Sequence, residues 1–463
     1  KPSSAASDVY KRQVYIRADG SIDPPDAPIQ RDGNVYTLTG NITSDADGIV
    51  VKKNNIVVDG GGHTLQGRGA NESKGINLSG RSNVTIKNVK IKTLHFGIWL
   101  NLSSNISIKG SIITDSVHSI FLWDSSNNVL AENDLAVSEQ SHIFVAYSSN
   151  NTIAENVLSY SGAMGCIRFF NSSNNLIIRN NFTNSKDVII GGSGLDLLSG
   201  SAANVITENN VINCTVASFI LSSNYNVFYH NNFINNTEQV YDVFDNSTNI
   251  WDNDYPSGGN YWSNYTGVDG DGDGIGDDEY VIDANNTDRY PLMAPINIFE
   301  AGVWNETEYF VDVVSNSTVS DFHFNPEEGP FLRFNVSGDD GTAGFCRVTI
   351  PKNLLWVEDG WTITVGDQII TDYNVQEDGD HTYIYFSYQH STQTVLIQGT
   401  HVIPEIPTAL ILPLFMIFSA IALVLAKKKR LKKQKPKPLF YFLTFQKGFP
   451  VLQLTGIEVS SMF

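Results

Sequence analysis

The sequence is poor in cysteine, methionine and basic residues. Three cysteines among 463 residues exclude the disulfide framework that is typical of small secreted domains. With only four methionines besides, the chain lacks a sulfur-rich ligand set for copper, and no copper cofactor is expected. Residues 1–406 carry 21 basic and 48 acidic side chains. This negative charge would repel polyanions, so a nucleic acid partner is not expected.

Long apolar runs are also scarce. Most apolar stretches, such as "NLIIRNNF" and "HSIFLW", have the length of a strand and end at Asn, Ser or Gly, and none keeps a helical period over ten residues. The exception is Ile406 to Ala426, whose 21 uncharged residues would span about 31 Å as a helix. Eight basic residues follow between Lys427 and Lys437. The pattern predicts a transmembrane helix in 403–426, a basic cytoplasmic tail in 427–463, and an extracellular location for the preceding chain.

Asparagine, in contrast, is abundant and periodic. An Asn followed closely by Ile, Val or Leu recurs at steps of 22 to 29 residues, at Asn55, Asn83, Asn105, Asn128, Asn151, Asn175, Asn204, Asn226 and Asn249. A period of this length is typical of stacked supersecondary units. Because each unit holds short strand-like bursts and no helical pattern, the repeat predicts a parallel β-helix with about three strands per turn over residues 14–256. Cys166 and Cys214 would then lie two turns apart, roughly 10 Å, which is too far for a disulfide.

The fifth residue after each repeat Asn is always Asn, Gly or Asp. These residues are Gly60, Asn88, Gly110, Asn133, Asn156, Asn180, Asn209, Asn231 and Asp254. Such residues enter the left-handed region at the lowest cost, so we expect them at the bends between strands. Stacked asparagines can also hydrogen-bond from one turn to the next. The repeat Asn is therefore interpreted as structural.

A second block, residues 297–402, loses the Asn repeat and gains alternating strands such as "FLRFNVSG" and "TYIYFSYQH". This pattern predicts an antiparallel β-sandwich. Seventeen Asn-x-Ser/Thr sites lie before residue 340, which favours an exported glycoprotein. The first residues, "KPSSAASDVYKRQ", do not fit the repeat, and 1–13 is interpreted as a non-native leader.

The join between the two blocks, residues 257–296, holds an acidic motif. In "DGDGDGIGDDEY" carboxylates alternate with glycines, as at the start of a calcium-binding loop, but position 12 is Tyr280 and not Glu. An EF-hand is therefore not expected. The motif predicts a structural calcium ion that closes the end of the β-helix, held by Asp269, Asp271, Asp273, Asp277 and Glu279. A merely acidic turn is the alternative.

Three histidines recur at the repeat spacing. His95, His118 and His142 are 23 and 24 residues apart, so we expect them to stack on adjacent turns, where they could bind a glycan or a transition metal. A turn position that merely favours His is the alternative. The neighbouring candidates for ligand binding are Trp99, Asp124 and Arg168. No cluster of catalytic carboxylates is recognisable, so an enzymatic role stays open.

The opening "VVDGGGHTLQG", the stacked "SSNN" turns and the closing "NYWSNYTG", "DGDGIGD" and "DRYPLM" strings resemble the NosD-type proteins, which belong to the carbohydrate-binding and sugar-hydrolysis (CASH) β-helices. The resemblance covers about residues 30–295 and implies a right-handed, pectin-lyase-like β-helix. The sandwich and the "PEIP" string before the apolar run are similar to archaeal surface proteins with a C-terminal anchor.

Together these features predict a protein anchored at the cell surface. The first hypothesis is a module that binds carbohydrate, or another cell-surface polymer, or that serves a structural or adhesive role. The alternative is a polysaccharide lyase or glycoside hydrolase on the same scaffold. A role in copper-site assembly follows only from the family resemblance.

Overall fold

The computed structural model describes residues 12–186, 192–243 and 247–403, and the backbone of residues 445–446 and 449–450. The first part of the chain folds into short strands: β1 (Val14–Ile16), β2 (Ile22–Asp23), β3 (Ile29–Asp32), β4 (Val35–Leu38), β5 (Ile42–Thr43), β6 (Ile49–Val51), β7 (Ile56–Asp59), β8 (Thr64–Gln66), β9 (Lys74–Asn77), β10 (Ser82–Lys87), β11 (Lys90–Lys92), β12 (Phe96–Asn101), β13 (Ser104–Lys109), β14 (Ile112–Trp123) and β15 (Val129–Ala131). The series continues with β16 (Asp134–Ala146), β17 (Thr152–Ala154), β18 (Val157–Ser161), β19 (Ile167–Phe170), β20 (Leu176–Ile178), β21 (Asn181–Thr183), β22 (Ser193–Leu198), β23 (Val205–Thr207), β24 (Asn210–Ile212), β25 (Val216–Leu221), β26 (Val227–Tyr229), β27 (Asn232–Ile234), β28 (Glu238–Asp242) and β29 (Tyr261–Trp262).

Each turn of this region gives one strand to each of three parallel sheets. The first sheet contains β4, β7, β10, β13, β15, β17, β20, β23 and β26. The second runs from β5 through β8, β11, the start of β14 and β16, β18, β21, β24 and β27 to β29, and the third from β1 through β6, β9, β12, the end of β14 and β16, β19, β22 and β25 to β28. The predicted parallel β-helix with three strands per turn is confirmed.

Stacked aliphatic side chains fill the interior of the β-helix. In the third sheet Ile76, Ile98, Ile120, Ile143 and Ile167 occupy one column, and all five are buried in the same core. Parallel sheets require both faces of a strand to be supported, and here the interior face is supported by the same residue type on the turns above and below. The repeat in sequence therefore becomes a continuous core along the helix axis.

The bends between strands use residues with positive φ, but the predicted positions are only partly correct. Asn88, Gly110 and Asp254 do have positive φ. Beyond them the residue that enters the left-handed region is the one before the predicted Asn, and these residues are Glu132, Glu155, Arg179, Glu208 and His230. The prediction was wrong for Asn133, Asn156, Asn180, Asn209 and Asn231, because these asparagines point inward and make hydrogen bonds.

The inward asparagines form two columns, which we call the first and second amide ladders. The first ladder is Asn128, Asn151, Asn175, Asn204, Asn226 and Asn249, and the second is Asn133, Asn156, Asn180, Asn209, Asn231 and Asn260. At each step the Oδ1 atom of one Asn accepts hydrogen bonds from the backbone N–H and the Nδ2 group of the Asn one turn earlier. The Asn133 nitrogens, for example, lie 3.0 and 2.9 Å from Asn156 Oδ1. The predicted bonding between stacked asparagines is confirmed, and it satisfies amides that would be costly to bury unpaired.

Both ladders end in the segment after the acidic motif. Asn286 Oδ1 accepts from the Asn249 backbone N–H at 2.9 Å and from Trp251 Nε1 at 3.1 Å. Asp288 Oδ2 accepts from the Asn260 backbone N–H and from Trp262 Nε1, each at 2.8 Å. Burial raises the pKa of Asp288 to about 7, although its N–H donors act in the opposite direction. The "NTD" string therefore terminates both ladders.

The remaining strands form a hairpin and the predicted sandwich. They are β30 (Tyr280–Asp283), β31 (Asn286–Asp288), β32 (Ile296–Trp304), β33 (Thr307–Ser315), β34 (Thr318–Phe324), β35 (Phe331–Ser337), β36 (Ala343–Pro351), β37 (Leu355–Trp356), β38 (Thr362–Val365), β39 (Gln368–Ile370), β40 (Tyr373–Glu377), β41 (His381–Gln389), β42 (Gln393–Gln398), β43 (His401–Val402), β44 (Phe445–Gln446) and β45 (Phe449–Pro450). Two antiparallel five-stranded sheets, β32-β33-β36-β41-β40 and β34-β35-β42-β38-β39, enclose one apolar core. The sandwich and the β-helix belong to one compact unit, and β44 and β45 belong to another.

Two further predictions concern cysteines and the membrane. Cys166, Cys214 and Cys346 are all buried and free, as expected. Among the described residues no helix has the length and apolar character needed to cross a membrane. The predicted span at Ile406–Ala426 and the basic tail lie outside the described residues, as do most of residues 1–13.

Candidate functional site

The outer face of the third sheet carries a column of large side chains. Strand register places Trp99 next to Phe121 and Phe121 next to Phe144, and the column continues through Arg168 to Asp196. The Trp99 and Phe121 rings are 4.7 Å apart and 7° from parallel, and the Phe121 and Phe144 rings are 4.8 Å and 4°. These separations equal the spacing of neighbouring strands, so the stacking of turns imposes the ring stack. We call Trp99, Phe121 and Phe144 the ring column.

A second column runs beside the ring column and adds polar groups to it. It contains Lys74, Phe96, His118 and Ser141 on successive turns. Lys74 Nζ lies 5.2 Å from the centroid of the Trp99 ring, within cation–π range. His118 stacks on Phe96 with centroids 5.6 Å apart, and its Nδ1 atom lies 2.8 Å from Ser141 Oγ.

The protonation of His118 follows from its surroundings. Burial, with the positive charges of His95 and Arg168 adding to it, lowers the pKa of His118 to about 4. The imidazole is therefore neutral at neutral pH. It can accept a proton or hydrogen-bond a hydroxyl group beside the aromatic rings.

The predicted stack of three histidines is wrong. His118 pairs with Ser141 and not with His142, because the register between β14 and β16 shifts by one residue after Ser116 and Ser138. His142 consequently points inward, is fully buried and makes no side-chain hydrogen bond of ordinary geometry in the described part of the chain. Burial lowers its pKa to about 3. His95 lies near His118, with ring centroids 6.4 Å apart, but in a T-shaped arrangement.

At the far end of the ring column Arg168 meets a fully buried carboxylate. Arg168 Nε donates to Asp196 Oδ2 at 2.5 Å, and the guanidinium Nη2 contacts the same oxygen. Ser193 Oγ donates to Asp196 Oδ1, and the Gly165 backbone N–H lies 3.3 Å from Asp196 Oδ2. A buried carboxylate with these donors holds the Arg168 side chain in one orientation, because a charge-assisted pair has defined geometry. Asp124 does not join this group, since it occupies an exposed bend with φ of 44°.

The acidic motif brings three of its five predicted ligands together. Carboxylate oxygens of Asp269, Asp271 and Asp273 lie within 4.8 Å of one another. Asp269 accepts backbone N–H bonds from Gly272, Asp273 and Gly274 at 2.8 to 3.1 Å, which fixes the loop around it. Burial raises the pKa of Asp271, and repulsion from Asp273, Asp277 and Asp269 adds to it.

The other two predicted ligands lie at the margin of this group. Asp277 Oδ2 accepts from the Gly270 backbone N–H at 2.8 Å, so it tightens the loop. Glu279 is exposed and is not part of the three-carboxylate group. Carboxylate oxygens at this spacing are hard ligands of the kind that calcium prefers.

The sequence reasoning missed most of the ring column and the partners of Arg168. Phe121, Phe144, Lys74 and Ser193 were not singled out. The signal is present, because "GIWL", "IFLW", "IFVA" and "IRFF" align when the buried Ile of each string is placed in one column. Counting from the histidines instead misplaced the register by the one residue that β16 inserts.

Comparison with known proteins gives one family and several distant folds. The family described as "Periplasmic copper-binding protein (NosD)" matches residues 3–197 and 192–267. No curated protein matches the chain. Among solved structures, the periplasmic alginate epimerase AlgG is 14% identical over 50% of this chain and 69% of that chain, with a TM-score of 0.36. The alginate lyase of Paenibacillus sp. str. FPU-7 is 14% identical over 48% and 90%, with a TM-score of 0.29. At TM-scores below 0.5 these likenesses support no conclusion about function.

Proposed function

Because this chain belongs to the NosD family, whose description places its members in the periplasm, we propose that it is an extracytoplasmic β-helix protein that binds carbohydrate along the ring column. In this proposal the apolar run Ile406–Ala426 anchors the protein in the membrane. The helix presents its third sheet to the ligand, and the sandwich stands between the helix and the anchor.

The observation that carries the proposal is the composition of the third sheet's outer face. Ligand sites combine apolar and aromatic surface with a few fixed polar groups. Here the stacked rings end in Trp99 on one side and in Phe144 beside Arg168 on the other, and neutral His118 lies in the adjacent column. Aromatic rings pack against the C–H faces of sugars, while imidazole and guanidinium groups pair with hydroxyl oxygens. A column that follows successive turns suits an extended chain.

The family description names copper, and the described residues do not fit that ion. Copper prefers imidazole and sulfur ligands. Within the described ranges the group of three or more His, Cys, Asp or Glu side chains with metal-ligand spacing consists of carboxylates alone. The Nδ1 atom of His118 is engaged by Ser141, and His142 is sealed in the core. No copper chemistry is derived for this chain.

The carboxylate group fits a hard cation instead. We include in the proposal one structural calcium ion held by Asp269, Asp271 and Asp273, with Asp277 supporting the loop. Three carboxylates within 4.8 Å repel one another, and a divalent cation would remove that repulsion. The loop lies between the last strand of the β-helix and the hairpin that terminates the amide ladders, so its order would transmit to both.

A glycan array on the full-length chain tests the binding proposal. We expect Trp99→Ala and Phe144→Ala each to weaken binding of any retained glycan at least tenfold, because each removes one terminal ring of the column. Tyr225→Ala is the matched control, since Tyr225 is 72% exposed on a bend outside the third sheet. Equal binding by all three variants would contradict the proposal.

Catalysis is a second candidate, and one observation favours it. A neutral His118 and the fixed Arg168–Asp196 pair lie on the same face, as a base and a charge-stabilising group would. Any glycan retained on the array is incubated with the protein, and released reducing ends and unsaturated products are measured. Turnover that His118→Gln abolishes without loss of binding would establish an enzyme, and binding without turnover would leave a binding protein.

A further inference from the structure

Charge is segregated along the axis of the β-helix. Residues 50–110 contain nine basic and two acidic side chains, whereas residues 187–288 contain sixteen acidic side chains and no Lys or Arg. The column from Ile98 to Val240 in the third sheet crosses six strand steps, about 29 Å at the usual spacing. One chain therefore carries opposite charges at two separated places.

The basic residues concentrate at one bend of the early turns. Lys87 and Lys109 are neighbours at the ends of β10 and β13, and Lys90 and Lys92 lie on β11, directly after the bend at Asn88. We call Lys87, Lys90, Lys92 and Lys109 the basic surface. Lys87 pairs with Asp59, but in the described part of the chain Lys90, Lys92 and Lys109 are exposed and form no ion pair.

At the other end of the helix one sheet stops without a partner strand. The first sheet ends in a bridge between Val227 and Ile250, and the second ends in β29. The third ends in β28, which pairs only with β25 within the described residues. The Glu238 backbone N–H donates to Thr215 on the β25 side. Since backbone groups alternate along a strand, those of Gln239 and Tyr241 face the open edge.

A polar cleft of about 310 Å³ lies along this open edge. Its walls are residues 236–240 of the β28 segment, Asn264, and residues 280–282 of β30. Glu238 is the only charged residue among them, and Asn264 and Tyr280 hydrogen-bond to each other across the cleft. Exposed carboxylates at Asp278 and Glu279 directly precede β30. The cleft thus offers acceptors and negative charge and no positive group.

We propose that the open edge of β28 is a docking site for the basic surface of a second copy of this chain. A lysine ammonium has three donors and no acceptor, so it can bind both Glu238 and the free backbone carbonyls of the edge. Both edges of β11 are already paired inside its own sheet, so the contact is made by lysine side chains and not by added strand pairing.

Charge also decides against the simplest alternative. If two β28 edges paired antiparallel about Val240, Glu238 of one copy would oppose Asp242 of the other, and like charges directly opposite destabilise such pairs. Docking of a basic surface on an edge is heterologous, because the two partners use different patches, and repetition of such a contact produces open chains of molecules. The overall negative charge does not prevent it, since salt screens charges beyond about 8 Å at physiological ionic strength.

Sedimentation of the detergent-solubilised full chain at 50 and 500 mM NaCl tests the proposal. We expect self-association at low salt that weakens at least tenfold at high salt. Two variants, Lys90→Glu with Lys109→Glu, and Glu238→Lys, should each remain monomeric alone. Their equimolar mixture should associate in pairs, because each retains the surface that the other lacks.

Thermal melting first shows that both variants keep the wild-type fold. A wild-type chain that stays monomeric at 100 µM protein and 50 mM NaCl overturns the proposal, and so does a mixture of the variants that fails to associate. If the lysine variant loses only binding to a sulfated-polysaccharide probe, while wild-type self-association is absent, the basic surface serves a polyanion and the proposal is likewise overturned.

Discussion

The early and late turns of the β-helix use the same amino acid for different purposes. Asn83 and Asn105 have φ near 54° and form exposed bends. In the later turns the bend is made by the preceding residue, such as Asn127, and the repeat Asn that follows, Asn128, is buried in the first amide ladder. Register shows why, since Asn128 stacks on Ile106 and not on Asn105. A constant letter at nearly constant spacing therefore hides a one-residue change of role.

The change has a physical cost and a physical gain. An inward Asn replaces an aliphatic residue such as Ile106, so hydrophobic burial is lost at that position. Each new amide, however, satisfies a backbone N–H of the adjacent turn and is itself satisfied by the next Asn. Polar columns of this kind are stabilising only when every member is bonded, and in the described turns from Asn128 to Asn249 every member is.

The sharpest test of this comparison removes one Asn from each class. We expect Asn156→Ala to lower the free energy of unfolding by about 4 kcal/mol, because the Asn133 backbone and side-chain donors both lose their acceptor in a buried place. Asn105→Ala should cost about 1 to 2 kcal/mol, the price of a left-handed Ala. Urea unfolding of the two variants measures both. Equal losses would mean that the ladder adds nothing beyond the bend.

The same one-residue shift separates His118 from His142 and predicts a pH effect. A buried His with a pKa of about 3 must stay neutral in the folded state, whereas it is protonated below pH 6.5 when unfolded. The stability it contributes is therefore complete above pH 6.5 and falls by about 3 kcal/mol by pH 4. His142→Leu should reduce the loss of stability between pH 7 and pH 4 by this amount. Urea midpoints at the two pH values decide it, and an unchanged pH dependence would place His142 outside the core.

The two ends of the helix should differ in their response to calcium. If the carboxylates Asp269, Asp271 and Asp273 hold an ion only in the folded state, calcium at one hundredfold Kd stabilises the fold by about 2.7 kcal/mol. We expect EGTA to lower the melting temperature of the wild type and to leave Asp271→Asn unchanged. Asp115→Asn, at an early bend, is the matched control and should retain the calcium response. A calcium shift that survives in Asp271→Asn would remove the loop from consideration.

The smallest expected effect comes from extending a ladder by one rung. Asn128 Oδ1 already accepts from the Ile106 backbone N–H, so Ile106→Asn would add an Nδ2 donor to the same oxygen. We expect a loss below about 1 kcal/mol, compared with several kcal/mol for Ile108→Asn, where no acceptor column exists. Comparable losses at the two positions would show that the ladder cannot grow.

The fold could be predicted from sequence because its periodicity is local and repeated. The three strands per turn, the stacking of Asn128 and its equivalents, and the antiparallel sandwich all follow from spacing, residue type and alternation. The predicted bends at Asn133 and Asn156 failed because a left-handed residue and an inward amide are adjacent in sequence and both favour Asn.

The candidate site was harder to predict because it depends on register. A single extra residue in β16 moves His142 from the outer face to the core and brings Ser141 under His118. Trp99 and Arg168 were identified, but the rings of Phe121 and Phe144 that join them look like ordinary core residues in sequence. The carboxylates of the acidic motif were found readily, since their spacing lies within one short loop.

The amide ladders also give the β-helix an electrical direction. Each Asn places its oxygen toward the earlier turn and its nitrogen toward the later one, so the side-chain dipoles align as peptide dipoles do in an α-helix. The positive end of the second row meets the carboxylate of Asp288, and the negative end meets the Ser111 backbone N–H. Every rung presents the same face upward and the same face downward. Whole turns can thus be gained or lost during evolution while the two terminating groups remain fitting ends for a row of any length.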